Sequence, residues 1–225
     1  MTWMYRIVRA ILVPLLRLGW RWRFIDLHKI PASGPVIIAA NHISYFDPLS
    51  HVLCVDTAGR IQRVFAKAEL FKNPLMRLIF TKARMIPVQR GSGEQGPVEA
   101  ARIALNDGDV IVLYPEATLT DRADLLPMRG KTGVARLALS SGVPVIPVAV
   151  WGSQWVIPPG SKWIKGWRKL VLLKVGDPMR FDELLGKQDD PDARRDVTDR
   201  VMKELERLVV DLQGLHPMGA KVPPR

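Results

Sequence analysis

A single cysteine, Cys54, excludes an intramolecular disulfide, so no disulfide scaffold holds this chain of 225 residues. Cys54 lies in the apolar run 51–55, where a small buried hydrophobe is its natural role. A reducing compartment is the default. Long hydrophobic runs are missing as well. A bilayer-crossing helix needs about 20 mostly apolar residues. The apolar stretch Ala10 to Leu16 is bounded by Arg9 and Arg17. A signal peptide fits poorly, because five arginines are spread through the first 23 residues rather than grouped ahead of an apolar core. Acids are absent before Asp26, and absent again between Leu125 and Gly176, where eight Lys or Arg stand. Neither a G-x-S-x-G nucleophile elbow nor an H-E-x-x-H metal motif occurs.

What is present is a well-mixed globular composition, 48% hydrophobic and 24% charged, which excludes a disordered chain. The net charge of +11 implies an anionic partner: nucleic acid, a membrane surface or a phosphorylated substrate. Residues 3–22 read as an amphipathic helix bent at Pro14, with Trp3, Ile7, Ile11, Leu15 and Leu18 at helical spacing. Arg6, Arg9, Arg17, Arg21 and Arg23 supply cations. The expectation is an interfacial membrane anchor; the alternative is a helix packed on the domain through its apolar stripe.

A strand–helix alternation follows. Candidate strands are Val36–Ala40, Val64–Ala66, Met85–Val88, Asp109–Tyr114, Val145–Val150 and Leu170–Val175; candidate helices span 48–57, 73–82, 97–106, 131–141 and 192–213. Several strands are continuous apolar runs, as strands covered on both faces are. The pattern predicts a single α/β domain with a mixed, mainly parallel sheet flanked by helices. It divides the chain into an anchoring helix over 1–24, a catalytic domain over 25–213 and a flexible tail over 214–225. The seven tryptophans fall in two places, at 3, 20 and 22 and at 151, 155, 163 and 167, interleaved with bases. That arrangement suits a membrane interface, single-stranded nucleic acid with stacking platforms, or ordinary core tryptophans beside solvated lysines.

The sharpest local signal is residues 39–48, AANHISYFDP. An apolar strand ends at Ala40 and His42 follows at its C-terminal edge, where open α/β sheets bind ligands. His42 and Asp47 are five apart across a turn. An imidazole there can take a proton from a hydroxyl while the carboxylate holds its other ring nitrogen. The alternative is a helix N-terminus with Ser44 or Asp47 as cap. His51 invites a metal-site reading, but one cysteine and no supporting spacing leave it weak.

This block resembles the NHxxxxD motif of the glycerolipid acyltransferases, and three further blocks follow in that family's order. Residues 85–90, MIPVQR, resemble the second; 114–120, YPEATLT, the third, usually FPEGTRS; 143–148, VPVIPV, the fourth. The likeness covers about residues 25–180. It implies direct transfer of a fatty acyl group from acyl-CoA or acyl carrier protein to a lysophospholipid hydroxyl. The leading acceptor is 1-acylglycerol-3-phosphate; others are glycerol-3-phosphate, another lysolipid or a glycolipid. His42 is then the general base and Asp47 its orienting partner, with Asn41, Arg90, Glu116 and Thr118 at the acceptor site. Two departures stand out. Ala117 replaces the family's glycine, and Leu119 replaces an arginine that meets the acceptor phosphate. Arg129 and Lys131 are the substitutes the sequence offers, with Arg122 a further candidate. A Met/Phe-rich segment over 70–80 is a candidate wall for the acyl chain. No metal or organic cofactor is implied, and no nucleic acid. The expected place is the cytoplasmic face of the cell membrane, bound peripherally. A basic membrane-binding module without catalysis is the alternative from another class; it leaves the order of the four blocks without a reason. A lipid hydrolase has no visible nucleophile.

Overall fold

The computed structural model describes residues 3–63, 65–74, 77–78, 81, 86–88 and 95–223. Among them a six-stranded sheet forms the centre. It comprises β1 (Arg21–Ile25), β2 (Val36–Ala40), β3 (Gln62–Arg63), β6 (Val110–Leu113), β7 (Val145–Trp151) and β8 (Leu170–Val175). The order is β1-β8-β7-β2-β6-β3. All pairs are parallel except β7 with β8. A separate two-stranded parallel ribbon joins β4 (Phe65–Lys67) to β5 (Ile86–Val88). This is the mixed, mainly parallel α/β sheet that the alternation of apolar runs predicts.

The central strands are apolar on both faces because both are covered. Every residue of β2 and of β7 is buried. Val36, Ile38 and Ala40 enter one core cluster, Ile37 and Ala39 the other. The first cluster is covered by Leu16 and Trp20 from the N-terminal region and by α2 (Asp47–Thr57) through Leu53, Cys54 and Val55. The second is covered by α3 (Gln95–Asn106) and α4 (Gly133–Ser141). The long α5 (Pro191–Leu215) gives Val197, Val201 and Leu205 to the second cluster and Leu208, Val209 and Leu212 to the first. Asp190 caps α5, its carboxylate accepting from the amides of Asp192 and Ala193, and Pro191 opens the first turn.

Two expectations change. The N-terminal helix α1 spans Trp3–Gly19, not 3–22, and Arg21–Ile25 is an edge strand pairing with β8. The reason lies in the period: Arg21, Trp22, Arg23 and Phe24 alternate with a period of two, and the two aromatics pack on the core while the arginines stay exposed. Gly19 ends the helix. The segment after Gly214, expected to be loose, is tied down. His216 is buried, Val222 packs on the first cluster, and the Trp151 indole donates to the Gly219 carbonyl at 3.0 Å. Among the described residues no helix is long and apolar enough to cross a membrane.

Candidate active site

In the sheet order β2 lies between β6 and β7 and runs parallel to both, so three strand ends open at one edge. His42 follows β2, Glu116 follows β6 and Ser153 follows β7. That shared edge, rather than closeness in sequence, brings the three together.

Asp47 is fully buried. Its Oδ2 lies 2.9 Å from Nδ1 of His42 and accepts from the amides of Ile43 (2.7 Å) and Ser44 (2.8 Å). Its Oδ1 accepts from the Ser153 hydroxyl at 2.5 Å. An ionised carboxylate only accepts, so Nδ1 of His42 faces it with a proton, and in the neutral imidazole the lone pair is then on Nε2. The His42 side chain is 16% exposed, and Nε2 has no hydrogen-bond partner among the described residues. A base held from behind and open in front is the arrangement proton abstraction needs.

The loop that carries His42 is fixed from the β6 side. Glu116, 3% exposed, accepts the His42 amide on Oε1 (3.0 Å) and the Met128 amide on Oε2 (2.9 Å). Burial pushes its carboxyl up from the usual 4.5, against the pull of those two amides. The Thr120 amide donates to the His42 carbonyl at 2.8 Å. Ala117 sits at φ 58°, left-handed backbone in which the family's glycine is free and alanine strained.

A third set of contacts backs the imidazole. The Tyr114 ring stacks on His42 with centroids 4.3 Å apart. His51 is fully buried; its Nδ1–H lies 2.8 Å from the Asp47 carbonyl oxygen and 3.1 Å from Tyr114 Oη. Desolvation holds the His51 imidazole below its ordinary 6.5, and burial pushes the Tyr114 hydroxyl well up, so both are neutral supports. Among the described residues no three His, Cys, Asp or Glu converge as metal ligands.

Of the residues singled out by sequence, His42, Asp47 and Glu116 meet. Asn41 is fully buried, and its amide is engaged by the Val150 peptide, donating to the carbonyl (3.1 Å) and accepting from the amide (2.8 Å). It extends the pairing of β2 with β7 beyond Ala40. Thr118 is exposed and hydrogen-bonds to none of these groups. Arg129 and Lys131 are exposed and without ion-pair partners among the described residues. The Lys131 amide is already used, donating to the Pro115 carbonyl at 2.8 Å, and a Cβ at Gly130 would stand 2.8 Å from Met202. Gly130 therefore packs closely against α5. Arg122 pairs with Asp124. Arg90 lies outside the described residues, as does much of the candidate acyl-chain wall: Leu75, Met76, Ile79 and Phe80. Sequence reasoning missed Ser153 and Tyr114. Tyr114 stands inside the third block, but nothing in the sequence ties Ser153 to a carboxylate 106 positions away.

The site is thus a histidine–carboxylate pair set where parallel strands end. The chain belongs to the acyltransferase family: residues 21–151 match the family model of that name. It is 30% identical to the N-acylphosphatidylethanolamine synthase of Arabidopsis thaliana over 68% of this chain and 58% of that protein. It is 29% identical to the 1-acyl-sn-glycerol-3-phosphate acyltransferase of Limnanthes alba over 65% of this chain and 51% of that one. The chain thus spans little more than half the length of these relatives. Among solved structures, the 1-acyl-sn-glycerophosphate (LPA) acyltransferase of Thermotoga maritima shares the fold, with a TM-score of 0.69 at 20% identity, over 93% of this chain and 78% of that one.

Proposed function

We propose that the protein transfers a fatty acyl group from a thioester, acyl-CoA or acyl carrier protein, to the free hydroxyl of a lysophospholipid, with 1-acylglycerol-3-phosphate the leading acceptor. The observation that carries this reading is the His42–Asp47 pair at the strand edge, with Nε2 unpartnered among the described residues and the side chain partly exposed. Nε2 takes the proton of the acceptor hydroxyl as its oxygen attacks the thioester carbonyl. The Asp47 carboxylate stabilises the imidazolium that forms. When the C–S bond breaks, the leaving thiolate recovers that proton. A covalent acyl-protein intermediate lacks support. Cys54 is buried with its thiol pushed up to about 12, and the Ser44 and Ser153 hydroxyls each donate to a protein acceptor.

The outer stripe of α1, with Ile7, Ile11, Leu15 and Leu18 exposed, supports a peripheral hold on a lipid surface, where both substrates' chains reside. A second reading of the acceptor rests on a specific observation. Leu119 stands where the family's motif has arginine, and a relative is named as a synthase of N-acylphosphatidylethanolamine, a lipid with no free phosphomonoester. The experiment is acceptor profiling with the purified protein and one acyl-CoA. Thioester consumption with lysophosphatidate in preference to lysolipids carrying a blocked phosphate supports the leading acceptor. The reverse preference transfers the reading to phosphodiester lipids, and consumption with no lysolipid rejects both.

A further inference from the structure

We propose that residues 161–169 form a second lipid-facing element, continuous with the outer stripe of α1, and that the two together seat the molecule on an anionic bilayer. The proposal stands apart from the acyl-transfer reading and does not need it. Trp163 is 79% exposed, Trp167 60% and Ile164 52%, three large apolar side chains within five positions. Lys162, Lys165, Arg168 and Lys169 are interleaved with them, all exposed and without ion-pair partners among the described residues. Several other exposed cations are matched, Arg102 by Glu99, Arg122 by Asp124, Arg180 by Asp182 and Arg200 by Asp196, while Arg129 and Lys131, like this loop, stand in the acid-free stretch without ion-pair partners among the described residues. The contrast follows from the sequence, whose nearest acids to this loop are Asp124 and Asp177.

The loop does not owe its exposed apolar groups to slack. The amides of Lys165 and Gly166 both donate to the Val156 carbonyl, and a Cβ at Gly166 would lie 1.9 Å from the Trp155 carbonyl oxygen. The loop is also bound to the end of α1. Trp20 Nε1 donates to the Gly166 carbonyl at 2.8 Å, the Arg168 amide to the Gly19 carbonyl at 2.9 Å, and the Trp167 and Trp20 rings lie 5.2 Å apart. The exposed Leu18, beside Gly19, thus continues into Trp167. Trp20 in turn packs 4.6 Å from Phe46 in the loop between His42 and Asp47, so a seated molecule carries its base close to the lipid surface. Aromatic rings with unpaired cations and no acids match the headgroup layer of an anionic leaflet, which supplies apolar depth and negative charge together.

The test sediments the full chain with sucrose-loaded vesicles, either phosphatidylcholine alone or an equal mixture with phosphatidylglycerol, with no acyl donor present. The Trp163 indole makes no hydrogen bond among the described residues, so Trp163→Ala is expected to fold. It should lower partition into the mixed vesicles roughly tenfold with α1 intact. Lys162→Gln and Lys165→Gln should each lower it about fivefold at low salt, and leave the weak binding to phosphatidylcholine alone unchanged. Variants that partition like the unaltered protein overturn the proposal. So does a vesicle-free dimer that Trp163→Ala dissolves, since the face is then a contact between copies of this chain.

Discussion

The hydroxyl of Ser153 donates to Oδ1 of Asp47 across 2.5 Å, from the end of β7 to a carboxylate at the start of α2. Asp47 is thereby held on both oxygens: by Ser153 on one, and by His42 and two backbone amides on the other. A carboxylate so fixed has one orientation to offer the imidazole.

Ser153→Ala removes one hydrogen bond to a charged group, worth about 1.5–3 kcal/mol. Turnover should fall by roughly tenfold or more with KM little changed, because Ser153 is fully buried and acts only through Asp47. Steady-state kinetics on a lysolipid acceptor measure it. Unchanged kcat would show that the backbone amides of Ile43 and Ser44 suffice.

Glu116→Ala leaves the buried amides of His42 and Met128 without partners, a loss of about 2–4 kcal/mol. Tm should drop by roughly 4–16 °C. Glu116→Gln keeps one acceptor oxygen and should fall between. Wild-type Tm in both variants would remove the carboxylate's role as a staple between the two loops.

His51 carries a pH prediction. Its folded-state pKa lies below the ordinary 6.5 because of burial, despite the opposing pull of Asp47; His42 nearby lowers it further. Above 6.5 both folded and unfolded states hold it neutral and nothing is lost. As pH falls below 6.5 the unfolded chain takes up a proton that the folded one refuses, so stability declines. His51→Asn should flatten that decline as pH falls from about 6.5 to about 5.5 in urea unfolding. A residual slope from His216, also lowered by burial, should persist. An identical slope in the variant would contradict the assignment.

The cation question is settled by kinetics. If lysophosphatidate is the acceptor, Lys131→Ala and Arg90→Ala should each cut its kcat/KM by roughly 10–150-fold, and barely affect a lysolipid with a blocked phosphate. Lys131 is exposed with its amide bound to Pro115, so only its ammonium is available for this. Equal, small effects on both acceptors would reject it as a clamp.

The strands were legible where apolar runs stand alone: Val36–Ala40 and Leu170–Val175 appear with the limits the sequence predicts. Arg21–Ile25 was hidden because its alternation covers only five residues directly after a helical pattern, and its partner β8 lies some 150 positions on. His42 and Asp47 were readable because the block is local. Glu116 was placed in the acceptor site by resemblance, whereas its two oxygens hold backbone amides. Asn41 likewise proved to be a strand-end staple on Val150. Asn41 meets a neighbouring strand and Glu116 the loop after β2, and spacing along one chain carries no trace of such partners.

The central claim rests on Nε2 of His42 as the base. His42→Ala leaves the Asp47 contacts to Ile43, Ser44 and Ser153 in place, so the variant should fold with a Tm near that of the unaltered protein. The decisive measurement is its kcat for acyl transfer from acyl-CoA to a lysophospholipid, taken beside that Tm. The expected result is a fall of about 10²–10⁴-fold, the range of general-base assistance. A folded His42→Ala variant that turns over at close to the original rate would contradict it.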